Sequence, residues 1–311
     1  MSNSENIFSS VIITTFNGEK NIRSTIISVL EQSFQGFELL IIDDGSNDKT
    51  KNIIDSFSDS RVKYHHQPNS GHVAAINLGL KLAQSDNILI LDHDDLLTNS
   101  CLEEKLDVLT QNPNIGVVGS SMDIIDSNGN FLYNIKQPIY DDEIKSKILF
   151  QNVISHSGVM YRKHLVKGVG YYDEFSNSAA DYDLWLRLLD KTSFVNINKP
   201  LVKLRKHISQ QTYRMNSNDT LYVLYKNITK LSERERTIYP FVWEIKYGDP
   251  SQGRIKYLKN FWNYEIKLFE KIKILFLSLF SRQLINYYYS FHPLHRIFSK
   301  LQLQKVRSKI K

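Results

Sequence analysis

The 311-residue chain carries 41% hydrophobic and 23% charged residues, globular values that exclude a disordered or low-complexity protein. Its single cysteine, Cys101, excludes an intrachain disulfide and fits a reducing, cytoplasmic compartment. The net charge of +6 is unevenly placed: residues 240–311 hold 14 Lys or Arg against 4 Asp or Glu, whereas residues 1–239 hold 25 against 29. This split separates an acidic body, suited to a metal or a sugar, from a basic tail suited to an anionic surface. No secretory signal is read at the N-terminus, and the longest apolar run, Ile274 to Phe280, is far shorter than the roughly 20 residues that span a bilayer.

In chain order, Val11 to Thr15 reads as a short buried strand, followed by a turn at Phe16-Asn17-Gly18 and a helix with apolar positions Ile22, Ile26, Ile27 and Leu30. Glu38 to Asp43 is a second strand, ending in the polar run Asp43-Asp44-Gly45-Ser46-Asn47-Asp48, and a helix follows over Thr50 to Phe57. A third strand spans Val62 to His66, and after the loop Gln67 to Gly71 a helix runs from Val73 to Ala83. The fourth strand, Ile88 to Leu91, runs directly into Asp92-His93-Asp94-Asp95. Strand and helix alternating at this spacing predict an α/β fold with a largely parallel sheet, whose ligands sit beyond the carboxyl ends of the strands.

Three strand ends then carry chemistry: Thr14 to Asn17, Asp43 to Asp48, and Asp92 to Asp95. Convergent carboxylates repel one another, and a divalent cation with hard oxygen ligands relieves that repulsion. A nucleotide with its metal suits the set, with Asp44 accepting from a base or ribose. The bland alternatives are an acidic helix cap after Asp92 and an Asx-rich turn at Asp43 to Asp48. A dinucleotide-binding dehydrogenase is set aside because no G-x-G-x-x-G follows an early strand. A phosphatase or other phosphoryl-transfer enzyme using Asp92-x-Asp94 stays as the competing enzyme class, and a non-catalytic membrane-surface scaffold as the competing non-enzyme class.

Further on, Ile115 to Met122 and Phe131 to Ile135 read as strands around the turn Asp126 to Gly129, completing the sheet. Ser178 to Leu189 reads as a loop feeding an amphipathic helix, with Leu184, Leu188 and Trp185 packed and Asp181 at the helix start facing the cleft. Asp181 is then either a helix cap or a general base.

Five segments in order carry a resemblance: Ser10-Val-Ile-Ile-Thr-Thr-Phe-Asn17, Glu38-Leu-Leu-Ile-Ile-Asp-Asp-Gly-Ser46, Asn69-Ser-Gly71 with Ala74-Ala-Ile-Asn77, Leu91-Asp-His-Asp-Asp95, and Asp181-Tyr-Asp-Leu-Trp-Leu-Arg187. Together they resemble the family 2 inverting glycosyltransferases of the GT-A fold, of the bacterial polysaccharide-biosynthesis type, over about residues 10–212. The resemblance implies a nucleotide-sugar donor, expected to be a UDP-sugar, contacted by Thr14, Thr15, Phe16, Asn17, Glu19, Asp43, Asp44, Gly71, Asn77, Asp92 and His93. It implies Mn²⁺ or Mg²⁺ held by Asp94 or Asp95 with His207, and Asp181 as the base that deprotonates the acceptor hydroxyl. His156, Asp183 and Trp185 fall in its acceptor region. The chain departs from the pattern at Ile76, where many relatives have arginine, and at Ala180, where the family has glutamate.

The expected domains are a GT-A catalytic domain over residues 8–213 and a basic, aromatic-rich helical region over 214–311. In the latter, Lys267, Lys271, Ser278 and Arg282 line one side of a helix from Tyr264 to Leu284, opposite Leu268, Ile272, Leu275, Phe276 and Leu279. Such a helix either lies on an anionic membrane at the inner face of the cell, where a lipid-linked saccharide acceptor resides, or packs on protein, including a second copy of the chain as a homo-oligomer. No nucleic-acid recognition motif is present.

Overall fold

The computed structural model describes residues 8–148, 152–206, 223, 226 and 227. His207 and the basic tail, with its expected membrane-facing helix, lie outside the described residues. The first half alternates as its apolar periods require: β1 (Ser9–Thr15), α1 (Ile22–Leu30), β2 (Phe37–Asp43), α2 (Thr50–Asp55), β3 (Val62–His66), α3 (His72–Leu82) and β4 (Asn87–Asp92). β1 and β2 are buried at every position, as befits inner parallel strands covered on both faces. α1 buries Ile22, Thr25, Ile26 and Val29, the i, i+3, i+4, i+7 stripe of one helix face.

β3, β2, β1 and β4 pair in that order, all parallel. The register places Thr14 beside Ile42 on one side and Asp92 on the other, so the loaded ends of β1, β2 and β4 share one rim of the sheet. Beyond β4 the sheet is mixed rather than largely parallel. After β4 come β5 (Leu96–Leu97), α4 (Cys101–Gln111), β6 (Ile115–Ile125), β7 (Phe131–Ile135), α5 (Asp141–Ile148), β8 (Met160–Arg162), α6 (Lys163–Gly168), a 3-10 segment (Glu174–Ala179), α7 (Ala180–Leu188) and β9 (Ser193–Arg205). β8 runs antiparallel between β4 and β6, β9 lies parallel to β6, and β5 and β7 pair antiparallel with β9 and β6. The helix that follows the Asp92 cluster starts only at Cys101, because Leu96 and Leu97 pair first with Lys203 and Val202.

One turn ties this second half to the rim. Gly158 donates its N–H to the Ile90 carbonyl at 2.7 Å, and its own carbonyl accepts from Lys105 Nζ at 2.6 Å. Lys105 is wholly buried and its other bond goes to Ser120 Oγ at 3.3 Å, so burial lowers its pKa. Gly158 has φ +82°, and a Cβ there would lie 2.1 Å from Val202 Cγ2. Backbone strain and overpacking therefore act together, and Gly158→Ala is expected to cost about 2 to 4 kcal/mol in urea unfolding. A loss under about 0.5 kcal/mol, the level of an ordinary surface change, would show that this turn is not fixed as described.

Candidate active site

At the end of β1 the chain turns over itself on Asn17, whose φ of 51° is tolerated because its side chain bonds locally. Asn17 Oδ1 accepts from Asn47 N at 2.9 Å, and Asn17 N donates to Ser46 Oγ at 2.9 Å. Glu19 accepts from Lys49 N at 3.0 Å, so the β1 and β2 loops are laced together. Gly18 is obligatory here: a Cβ would fall 2.5 Å from Thr15 Oγ1 and 2.9 Å from the His93 ring. Thr15 Oγ1 is buried with no hydrogen-bond partner among the described residues, whereas Phe16 is 46% exposed at the lip.

The β2 end is organised by two carboxylates with different duties. Asp43 accepts from Ser46 N at 2.9 Å and from Tyr64 Oη at 2.8 Å. Asp44 gathers the loop before α3: Oδ1 accepts from Gln67 Nε2 at 2.7 Å and Ser70 N at 2.8 Å, and Oδ2 from Gly71 N at 2.9 Å. Gly71, with φ +95°, then delivers the chain into α3. Asn77 clasps Tyr172, donating to its carbonyl at 2.9 Å and accepting from its N–H at 3.1 Å.

At the β4 end the carboxylates are distinguished by their partners. Asp95 is buried, and its Oδ1 accepts from Arg205 N at 2.8 Å while Ser157 donates to the same carboxyl. Burial first, then the charges of Asp94 and Asp92, push its pKa well up. Asp94 is buried too, and its carbonyl accepts from Arg205 Nε at 2.9 Å. Asp92 donates its N–H to Ser157 Oγ at 3.2 Å, and its Oδ1 is sealed from solvent without a hydrogen-bond partner among the described residues. Its pKa is raised by burial, against the attraction of His156. The His93 carbonyl accepts from Thr25 Oγ1 at 2.8 Å, which anchors α1 beneath the strand end.

Asp181 lies on the first turn of α7, half-buried, and accepts from Asn152 Nδ2 at 2.7 Å. Burial pushes its pKa up to about 6, and its charge reaches Asp92, whose pKa it helps to raise. Asp183, two residues on, is fully buried and bonded to Arg187 Nε at 2.7 Å, Asn227 Nδ2 at 3.1 Å and Lys226 Nζ. Trp185 is fully buried, edge-on to Tyr161 at 6.1 Å. His156 Nε2 bonds Tyr172 Oη at 3.1 Å, and its ring meets that of His72 edge-on at 5.9 Å.

The structure thus brings Thr14, Asp92, Asp94, Asp95, His156 and Asp181 to one rim, and places Asp183 and Trp185 in the core of α7. Sequence reasoning missed His72, Ser157, Asn152 and Arg205. Of these, His72 had a readable signal, a histidine directly after a glycine at a helix start.

Residues 10–170 match the family model for Glycosyl transferase family 2. The chain belongs to that family. An uncharacterized glycosyltransferase of Rickettsia typhi is 31% identical over 208 residues, covering 65% of each chain, and one of Methanocaldococcus jannaschii is 30% identical over 203 residues, covering 63% of this chain and 70% of the relative. The match spans only 34% of a longer Rickettsia bellii relative. Staphylococcus aureus TarS 1–349, solved with UDP-GlcNAc, superposes with a TM-score of 0.63 at 20% identity, over 86% of this chain and 79% of TarS, a likeness of fold. The GT-A fold expected of a family 2 member is therefore the fold of this chain.

In Asp44→Asn an amide N–H₂ would face at least one of the three donors now received, loosening residues 67–71 at a cost of about 1.5 to 3 kcal/mol. Hydrogen exchange should show the Ser70 and Gly71 amides losing protection while β1 and β4 keep theirs. Unchanged protection at those two amides would contradict the role given to Asp44.

Proposed function

We propose that this glycosyltransferase moves a hexosyl unit, with inversion, from a nucleotide sugar to a hydroxyl of a saccharide or lipid-linked saccharide in cell-surface polysaccharide synthesis. The observation that carries the reading is Asp181: a half-buried carboxyl with its pKa pushed up to about 6, close enough to the β4 carboxylates that Asp92 feels its charge. A base of that strength, beside strand ends suited to a nucleotide diphosphate, has the pKa that general-base catalysis near neutrality favours. That TarS was solved with UDP-GlcNAc and with UDP supports a uridine nucleotide as the donor here.

In the proposed step the acceptor oxygen attacks the anomeric carbon as its proton passes to Asp181. The bond from that carbon to the diphosphate oxygen breaks, and the nucleoside diphosphate leaves with the electron pair. Asn152 holds the Asp181 carboxylate toward the acceptor by its 2.7 Å hydrogen bond. The bonded loops at Asn17, Asp43 and Asp44 shape the nucleotide end, with Thr14, Thr15, Phe16, Glu19, Gly71 and Asn77 around it. The carboxylates of Asp94 and Asp95 are hard oxygen donors suited to Mg²⁺ or Mn²⁺, with His207 as a further ligand. Asp95 also accepts from the Arg205 amide, so a ligand role for it would be shared with a structural one. A divalent cation bound there neutralises charge on the departing diphosphate.

The basic tail is proposed to hold the enzyme at the inner face of the membrane, beside a lipid-linked acceptor, a reading that rests on its charge and apolar stripe. No helix among the described residues is long and apolar enough to cross a membrane.

The experiment is the pH profile of nucleotide release with acceptor present. Asp181 must be ionised to accept a proton, so activity is expected to rise with pH and level off above about 6. Asn152→Ala removes a bond that favours the ionised form, so its acid limb should move to higher pH. Asp181→Asn should retain donor binding and lose at least about 100-fold in turnover. Direct release of inorganic phosphate would instead favour phosphoryl chemistry.

A further inference from the structure

Between α3, the end of β4 and the turn before β8, one ring nitrogen of His72, one of His156 and one carboxylate oxygen of Asp92 lie within 4.8 Å of one another. In each ring one nitrogen is engaged by a hydroxyl and the other is left for a ligand. Tyr172 Oη bonds His156 Nε2 at 3.1 Å and Tyr161 Oη at 3.3 Å, so with Nε2 engaged, Nδ1 is the ring nitrogen left for a ligand. His72 uses Nδ1 on Thr14 Oγ1 at 3.1 Å, which leaves Nε2 for a ligand. Asp92 Oδ1 is the sealed oxygen without a partner among the described residues. Polar atoms gathered this closely in a buried space favour a cation or a shared proton between them.

We propose that His72, Asp92 and His156 form a two-histidine, one-carboxylate site for a borderline first-row divalent cation of the Co²⁺ and Zn²⁺ class, rather than Mg²⁺. Imidazole nitrogens select such ions, whereas Mg²⁺ prefers all-oxygen shells. Thr14 and Tyr172 hold the far nitrogens of the two rings, the outer support that metal-ligating histidines require. Ligands each about 2.0 to 2.2 Å from one tetrahedral ion lie about 3.3 to 3.6 Å apart, so closure from within 4.8 Å needs side-chain movements of up to about 1 Å. This site is distinct from the Asp94 and Asp95 carboxylates, and the inference does not rest on sugar transfer.

The test uses the full chain, stripped of metal and titrated with Co²⁺ without nucleotide, reading visible d–d absorption. One equivalent is expected to bind, to be displaced by Zn²⁺ and not by Mg²⁺. His72→Gln and His156→Gln should each weaken binding at least about 10-fold, and Thr14→Val about 10- to 100-fold, as loss of outer support does elsewhere. Asp94→Asn should leave the Co²⁺ spectrum unchanged. If His156→Gln fails to fold, spectra of the wild type with ¹⁵N-labelled histidine carry the decision: two of the nine rings should shift on adding Zn²⁺. Binding that ignores both histidine variants but is lost in Asp94→Asn would move the ion to the carboxylates and overturn the proposal. So would a folded wild type that binds no Co²⁺, which would mean that a proton shared with Asp92 fills the gap.

Discussion

The rim depends on one hydrogen-bonded knot at Asp95. Its carboxylate accepts the Arg205 amide at 2.8 Å and a bond from Ser157, and Ser157 in turn receives the Asp92 N–H. Three chain segments far apart in sequence are thereby fixed at the end of β4. Arg205 continues the work with its side chain, donating to the Asp94 carbonyl and to the carbonyls of Asp126 and Ser127. Carboxylates crowded at a strand end would otherwise splay apart or take up protons. Here one of them is spent on structure, and its neighbours Asp92 and Asp94 are held beside it at the strand end.

The same division between holding and acting runs along the rim. Asp44 is the counterpart at β2, its two oxygens receiving three donors from the loop that starts α3, and Asp183 is the counterpart on α7. Asp181 differs from Asp183 by two residues and half a helical turn. Asp183 meets Arg187, Lys226 and Asn227, whereas Asp181 meets a neutral amide and so keeps the raised pKa that its burial imposes. One short helix thus presents a structural carboxylate inward and a basic one toward the rim.

The first half of the fold was legible because each element there is local. The apolar runs of β1, β2 and β4 and the 3.6-residue stripe of α1 are written in consecutive residues, and the bounds read for β3 and β7 are those of the structure. The second half was harder, because its pairing is decided across the chain. β9 is interrupted by Asn198-Lys199-Pro200 and shifts register against β6 at Ser121, so no clean period marks it. β8 has only three residues and takes its direction from its neighbours β4 and β6. At the site, the motif residues were visible as types, but their duties were not. That Asp44 grips a loop, that Arg205 clasps Asp95 and that His72 faces Asp92 are facts of tertiary contact, which no spacing encodes.

The central claim is that the ends of β1, β2 and β4 cradle a nucleotide sugar with its reacting carbon turned toward Asp181. The most direct measurement is a crystal structure grown with a non-transferable UDP-sugar analogue and Mn²⁺, with the metal located by its anomalous signal. The account predicts the uracil at the β2 end, the diphosphate and Mn²⁺ beside Asp94, and the anomeric carbon facing the Asp181 carboxylate across room for an acceptor hydroxyl. A nucleotide bound away from this rim, or a sugar whose anomeric carbon is shielded from Asp181, would contradict it.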